Sequence, residues 1–72
     1  MIILGIDPGI AIVGWGIVDY SGFGTKIRPI ACGAITTNSN EKTEDRILHV
    51  FEELTAIIAK YKPECAAIEE LF

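Results

Sequence analysis

A single helical stretch stands between two apolar runs, and that order constrains the fold more than any other feature of the chain. Ile2-Ile3-Leu4-Gly5-Ile6 near the start and Cys65-Ala66-Ala67-Ile68 near the end read as buried strands. Between them, over 41–61, Ile47, Phe51, Leu54, Ile58 and Tyr61 recur at spacings of three and four, flanked by Leu48, Val50 and Ile57. Glu41, Glu44 and Asp45 lie in or near the first turn, and Lys60 and Lys62 close the last. That is the sign order the helix dipole prefers. Pro63 ends the helix. A strand reached through a crossover helix usually lies parallel to an earlier strand, with right-handed sense. The most apolar partner available is the first run.

The segment between the first run and the helix reads as two further strands. Ala11–Tyr20 follows the Pro8-Gly9 turn so closely that an antiparallel hairpin is expected. Ser21-Gly22-Phe23-Gly24 is a second turn, and Thr25–Thr37 a third strand rich in β-branched residues. Pro29 and Gly33 interrupt it, which predicts an edge position or a bulge. A polar loop, Thr37-Asn38-Ser39-Asn40, leads to the helix, and the fourth strand is expected over Glu64–Glu70. The expected fold class is α/β: a mixed sheet with three antiparallel strands, a crossover helix and a fourth strand parallel to the first.

This topology gives meaning to two acids. Asp7 ends the first run and is followed at once by Pro8-Gly9, while Glu69-Glu70 ends the last. A carboxylate at the tip of a buried strand costs desolvation unless a cation compensates. Parallel neighbours point their C-terminal ends the same way, so Asp7 and Glu69 converge at one sheet edge. There they repel unless one is protonated or a cation lies between them. Oxygen-only ligands favour hard ions, Mg²⁺ or Mn²⁺. Paired ions of that kind serve phosphodiester hydrolysis, but such a site needs more carboxylates than these two. Each acid also has a plainer reading: Asp-Pro-Gly as a turn starter, and Glu69-Glu70 as a solvated strand end. Pro8 holds Asp7 extended, and Gly9 leaves room for close approach by a ligand.

At 72 residues, half of them apolar, the chain is expected to be a piece of a larger domain rather than a self-sufficient miniprotein. Its formal charge of −4 argues against a free-standing nucleic-acid-binding module. It does not exclude part of a nuclease, because metal-binding carboxylates are themselves acidic. Cys32 and Cys65 stand in apolar strand contexts without a Cys-x-x-Cys or a histidine partner, and are expected to be buried free thiols. The apolar start is too short and too glycine-punctuated for a signal or membrane helix. A reducing, cytoplasmic setting is expected, with no membrane partner.

Ile-Leu-Gly-Ile-Asp-Pro-Gly at the start, then Val-Gly-Trp-Gly-Ile-Val, then Ala-Ile-Glu-Glu-Leu-Phe after the helix, resembles the N-terminal half of a RuvC-type Holliday junction resolvase. That resemblance covers essentially the whole chain. It implies a ribonuclease H-like fold, with residues 1–72 the N-terminal part of a single nuclease domain. It implies a metal-dependent endonuclease that resolves Holliday junctions in DNA recombination and repair, with Mg²⁺ as cofactor and Mn²⁺ as substitute. Asp7 and Glu69 are then catalytic, metal-binding acids. Glu69 matches the family position because it directly follows Ala67-Ile68, and Glu70 would face the opposite side of the strand. Phe72 matches an aromatic near the junction centre, where stacking on an unpaired base is worth about 1–3 kcal/mol. The implied partners are four-way junction DNA, a second copy in a homodimer, and the branch-migration proteins RuvA and RuvB. The family's remaining acids lie in its C-terminal part, so the 72 residues alone are expected to be inactive.

Other readings compete. An actin-like or sugar-kinase ATP-binding domain also places an acid and glycines in a strand-turn-strand, which Asp7, Gly9, Gly14 and Gly16 could imitate. YqgF-type proteins and the RuvC-like domains of CRISPR or transposon nucleases share the first acid. A degenerate RuvC-like interaction module is the non-enzymatic alternative. Trp15 reads as core, His49 as a surface residue off the main stripe, and Phe72 equally as a packing residue. Lys60 and Lys62 read as a solvated helix end more readily than as phosphate contacts.

Overall fold

The structure is a computed structural model, and it describes residues 1–9, 11–21 and 26–69. In chain order the elements are β1 (Ile2–Asp7), β2 (Ile12–Tyr20), β3 (Ile27–Thr36), α1 (Thr43–Tyr61) and β4 (Cys65–Ile68). The sheet order is β3-β2-β1-β4, with β1–β2 and β2–β3 antiparallel and β1–β4 parallel. The hairpin, the crossover and the central place of β1 all follow the sequence expectation. β3 combines both predicted features. It lies at an edge, and its register slips where Val18 pairs with Pro29 after Ile17 has paired with Ala31. Proline lacks an N–H to give the ladder, so edge and bulge are the places that tolerate it.

Residues directly opposite in a ladder share a face, and the face alternates along each strand. Leu4 pairs with Ile17, Ile6 with Trp15, and Val13 with Ile35, which puts all of them on one side. Helix α1 covers that side. The Trp15 and Tyr61 rings meet at a centroid separation of 6.2 Å, and Arg46 Nε donates to Thr37 Oγ1 at 3.0 Å, tying the helix start to the end of β3. Leu4, Ile17 and Ile35 are the buried hydrophobic residues described. Trp15 is half-buried under the helix, in keeping with a core role, and His49 is exposed as read.

The helix packs on a different stripe from the one expected. Its half-buried residues are Arg46, Val50, Leu54, Ile57 and Tyr61, while Ile47, Phe51 and Ile58 are 65%, 65% and 47% exposed. Its apolar arc is wider than one sheet-facing stripe can use, so one side of the arc meets the sheet and the rest, Leu48 included, stays in solvent. The helix also starts later than predicted, because Glu41 N–H donates to the Asn38 carbonyl at 3.0 Å in a turn ahead of it. It ends at Lys62, whose φ of 50° is left-handed and whose N–H returns to the Ile58 carbonyl at 2.8 Å. Lys60 and Lys62 are exposed, with the Lys60 ammonium 5.3 Å from the Tyr61 ring centroid.

Two burial expectations are corrected. Cys32 and Cys65 are free but exposed. Their ladder partners, Gly16 and Ile3, place both on the uncovered face of edge strands. β1 is central, yet of its residues only Leu4 is buried, and Asp7 is exposed. Desolvation therefore does not drive a cation to Asp7, and any such requirement rests on the neighbouring charge.

Gly33 allows the Trp15 ring to approach closely across the ladder. A Cβ there would lie 2.9 Å from Trp15 Cζ2. Gly33→Ala is expected to displace the indole and cost about 1 kcal/mol, the low end of overpacking penalties. As the chain has one tryptophan, a shift in its emission maximum reports the displacement directly.

Candidate metal centre

Asp7 and Glu69 come together through backbone pairing. Gly5 pairs with Ala67 and Ile6 with Ile68, and the Glu69 N–H then donates to the Ile6 carbonyl at 3.0 Å. The ladder thus continues past the end of β4, and Glu69 takes the place beside Asp7. Two-residue alternation sets Gly5 and Asp7 on one face, with Ala67 and Glu69 beside them. This is the face that α1 leaves open.

Small residues surround the two acids. Gly14 is the antiparallel partner of Asp7, and Gly16 is the partner of Gly5. A Cβ on Gly14 would lie 3.7 Å from the Asp7 Cβ, so the position next to the carboxylate is left without a side chain. A shallow depression of about 440 Å³ runs over Gly5, Asp7, Gly14, Gly16, Ala67 and Glu69. Both acids are exposed within it.

The sequence reading of Gly9 needs revision. The space where its Cβ would stand is filled by the Ile12 backbone carbonyl of the chain itself, rather than left for a ligand. The glycines that do leave space near Asp7 are Gly5, Gly14 and Gly16. Their signal was present as alternation within the strands, but it takes the ladder register to show that they share a face with Asp7. Asp19, a further acid near a strand end, is occupied elsewhere. It accepts from the N-terminal ammonium at 3.2 Å and from Arg28 at 3.4 Å. Phe72 and Glu70 lie outside the described residues.

The donor set can be tested against a hard cation. Two carboxylates on adjacent strand ends, open to solvent and flanked by glycines, suit one ion that keeps several of its waters, which is how Mg²⁺ commonly binds. No cluster of three or more metal-binding side chains occurs among the described residues. The acids described therefore suit a single hydrated ion and fall short of a complete two-ion site.

A family model for the crossover junction endodeoxyribonuclease RuvC matches residues 3–72. The chain belongs to the RuvC family. Curated RuvC relatives agree with the match. The protein from Alkaliphilus oremlandii is 50% identical over all 72 residues, and that from Alkaliphilus metalliredigens 51% identical. In each case the match takes in 43% of the relative's length. Among solved structures, Thermus thermophilus RuvC superposes with a TM-score of 0.89 at 32% identity, covering the whole chain and 44% of the neighbour. The same enzyme in complex with a Holliday junction substrate gives a TM-score of 0.86 at 28% identity. The RuvC-like sheet, β3-β2-β1-β4 with its parallel β1–β4 pair, is thus the ribonuclease H-like arrangement expected from the sequence. Membership of the RuvC family sets aside the actin-like ATP-binding reading.

Proposed function

We propose that these 72 residues form the N-terminal part of a single ribonuclease H-like nuclease domain, in an enzyme that cuts Holliday junctions during DNA recombination and repair. The carrying observation is the placement of Asp7 and Glu69 on adjoining ends of β1 and β4, with Gly5, Gly14 and Ala67 beside them on the same face. Membership of the family supports the same reading.

Asp7 and Glu69 hold Mg²⁺, for which Mn²⁺ substitutes. When bound, the ion supplies Lewis-acid stabilisation of charge building on the phosphate being cut. The protein's contribution is positional. β1 and β4 hold the backbone at both carboxylates through main-chain hydrogen bonds. Gly5, Gly14 and Gly16 keep the neighbouring surface low, and a bulky, charged strand of DNA can approach. Phe72, three residues beyond Glu69, stacks on a base near the junction centre.

The enzyme acts on four-way junctions as a cytoplasmic homodimer, alongside the branch-migration proteins RuvA and RuvB. Among the described residues, no helix is long and apolar enough to cross a membrane. Two acids do not make a complete two-ion site, so residues 1–72 alone are inactive and the remaining acids come from the rest of the enzyme.

Glu69 supplies a direct test in the full-length protein. Glu69→Gln keeps the size of the side chain and removes its charge. It is expected to lower single-turnover junction cleavage by about 100-fold or more, a usual scale for losing one preorganised electrostatic contact. Glu70→Gln is expected to stay within a few-fold of wild type. Equal losses from both changes would remove the distinction between the two neighbours.

A further inference from the structure

Asp7 is the last residue of β1, and described residues on both sides of the connection to β2 are fixed in place. Ala11 is fixed to the end of β3, where its carbonyl accepts from the Thr37 N–H at 3.0 Å. Ile12 opens β2, and its carbonyl fills the place of a Gly9 side chain. On the other side, Asp7 is held to Gly14 by the antiparallel ladder, and the preceding residue, Ile6, accepts from Glu69 at 3.0 Å. Any group added at position 9 therefore meets backbone rather than the flexible end of a side chain, and backbone yields only by moving the turn. The displacement falls first on Asp7, directly ahead of the turn, while Glu69 is held at the Ile6 carbonyl.

We infer that Gly9 is a positioning residue, which sets the placement of Asp7 relative to Glu69 by letting the Ile12 carbonyl seat against the turn. This rests on the proposed role of the two acids in holding a divalent cation. Gly9 touches neither cation nor substrate and acts through Asp7. Residues that orient metal ligands from behind typically change metal affinity by about 10–100-fold when altered.

The experiment uses the full-length protein and measures Mn²⁺ affinity by calorimetry without DNA, with junction cleavage followed in parallel across Mn²⁺ concentrations. Gly9→Ala adds one methyl at the contact. A second variant inserts one glycine between residues 9 and 10, which releases the contact without adding bulk. Lengthening a loop by one residue costs little in closure entropy, so this variant remains informative if Gly9→Ala does not fold. Ile17→Val, a change in the buried core farther along β2 from Ile12, controls for lost stability. The expected result is a Mn²⁺ affinity about 10–100-fold weaker in both turn variants, with cleavage restored at higher Mn²⁺. Ile17→Val is expected to bind as wild type despite a lower Tm. Wild-type Mn²⁺ affinity in the insertion variant, or an equal loss in Ile17→Val, overturns the role of Gly9. Wild-type affinity in Asp7→Asn instead overturns the cation site itself, so the two failures are distinguishable.

Discussion

Asp7→Asn in the full-length protein is expected to abolish junction cleavage while leaving junction binding intact. The expected loss in single-turnover rate is about 10²–10³-fold or more. Asparagine keeps the shape of the side chain and can still accept a hydrogen bond, but it brings no charge to a cation. Structural damage is not expected. Asp7 is exposed, its backbone pairing with Gly14 does not involve the side chain, and its carboxylate accepts no hydrogen bond among the described residues. Binding and cutting separate because DNA affinity comes from many phosphate contacts spread over a large surface. Cleavage depends on charge held at one point. The measurement pairs a gel-shift titration on a four-way junction with cleavage under enzyme excess. Cleavage at the normal rate would refute the assignment of Asp7, and loss of binding in step with cleavage would point to misfolding instead.

The largest effect on stability is expected at Ile17. It is 0% exposed and pairs across the ladder with Leu4, itself 1% exposed. The two side chains form the middle of the layer between sheet and helix. Ile17→Ala removes three carbons from a place that the surrounding strands cannot collapse to fill. Truncations of this kind cost about 2–5 kcal/mol, a large part of the 5–15 kcal/mol that typically separates folded from unfolded protein. Urea denaturation of the full-length protein would show a lower midpoint with little change in slope. Leu4→Ala should cost a similar amount. Because the two residues touch the same space, the double variant should lose less than the sum of the singles. Strict additivity would mean that they do not share a packing unit.

The topology was legible because it depends on order and period. Four strand-like runs, one helical run and the short Asp-Pro-Gly turn leave few ways to arrange the sheet. Pro29 indicated both the edge and the bulge. Burial was much less legible, because periodicity identifies apolar positions without saying which of them find a cover. Phe51 and Ile47 look as core-like as Val50 and Ile57 on a helical projection, yet only the latter pair faces the sheet. The cysteines show the same limit. Cys32 and Cys65 sit among apolar neighbours in sequence, but their side of the sheet carries no second layer in these residues. The pairing of Asp7 with Glu69 could be inferred from a parallel crossover. The glycine partners of Asp7, and the carbonyl seated on Gly9, depend on register and turn geometry that composition does not encode.

The β1–β4 pairing also has a consequence for how the protein comes to be made. About 60 residues of chain separate the two acids, so they become neighbours only after a long loop has closed, and non-local pairings of this kind form slowly. The β1–β2 hairpin is local and can assemble early, carrying Asp7 alone. Glu69 arrives only when the strand after the helix docks. On a ribosome, Asp7 and Glu69 become neighbours only after β4 has emerged and docked, so a cation site built from them, as proposed, cannot form on a nascent chain before that strand is in place.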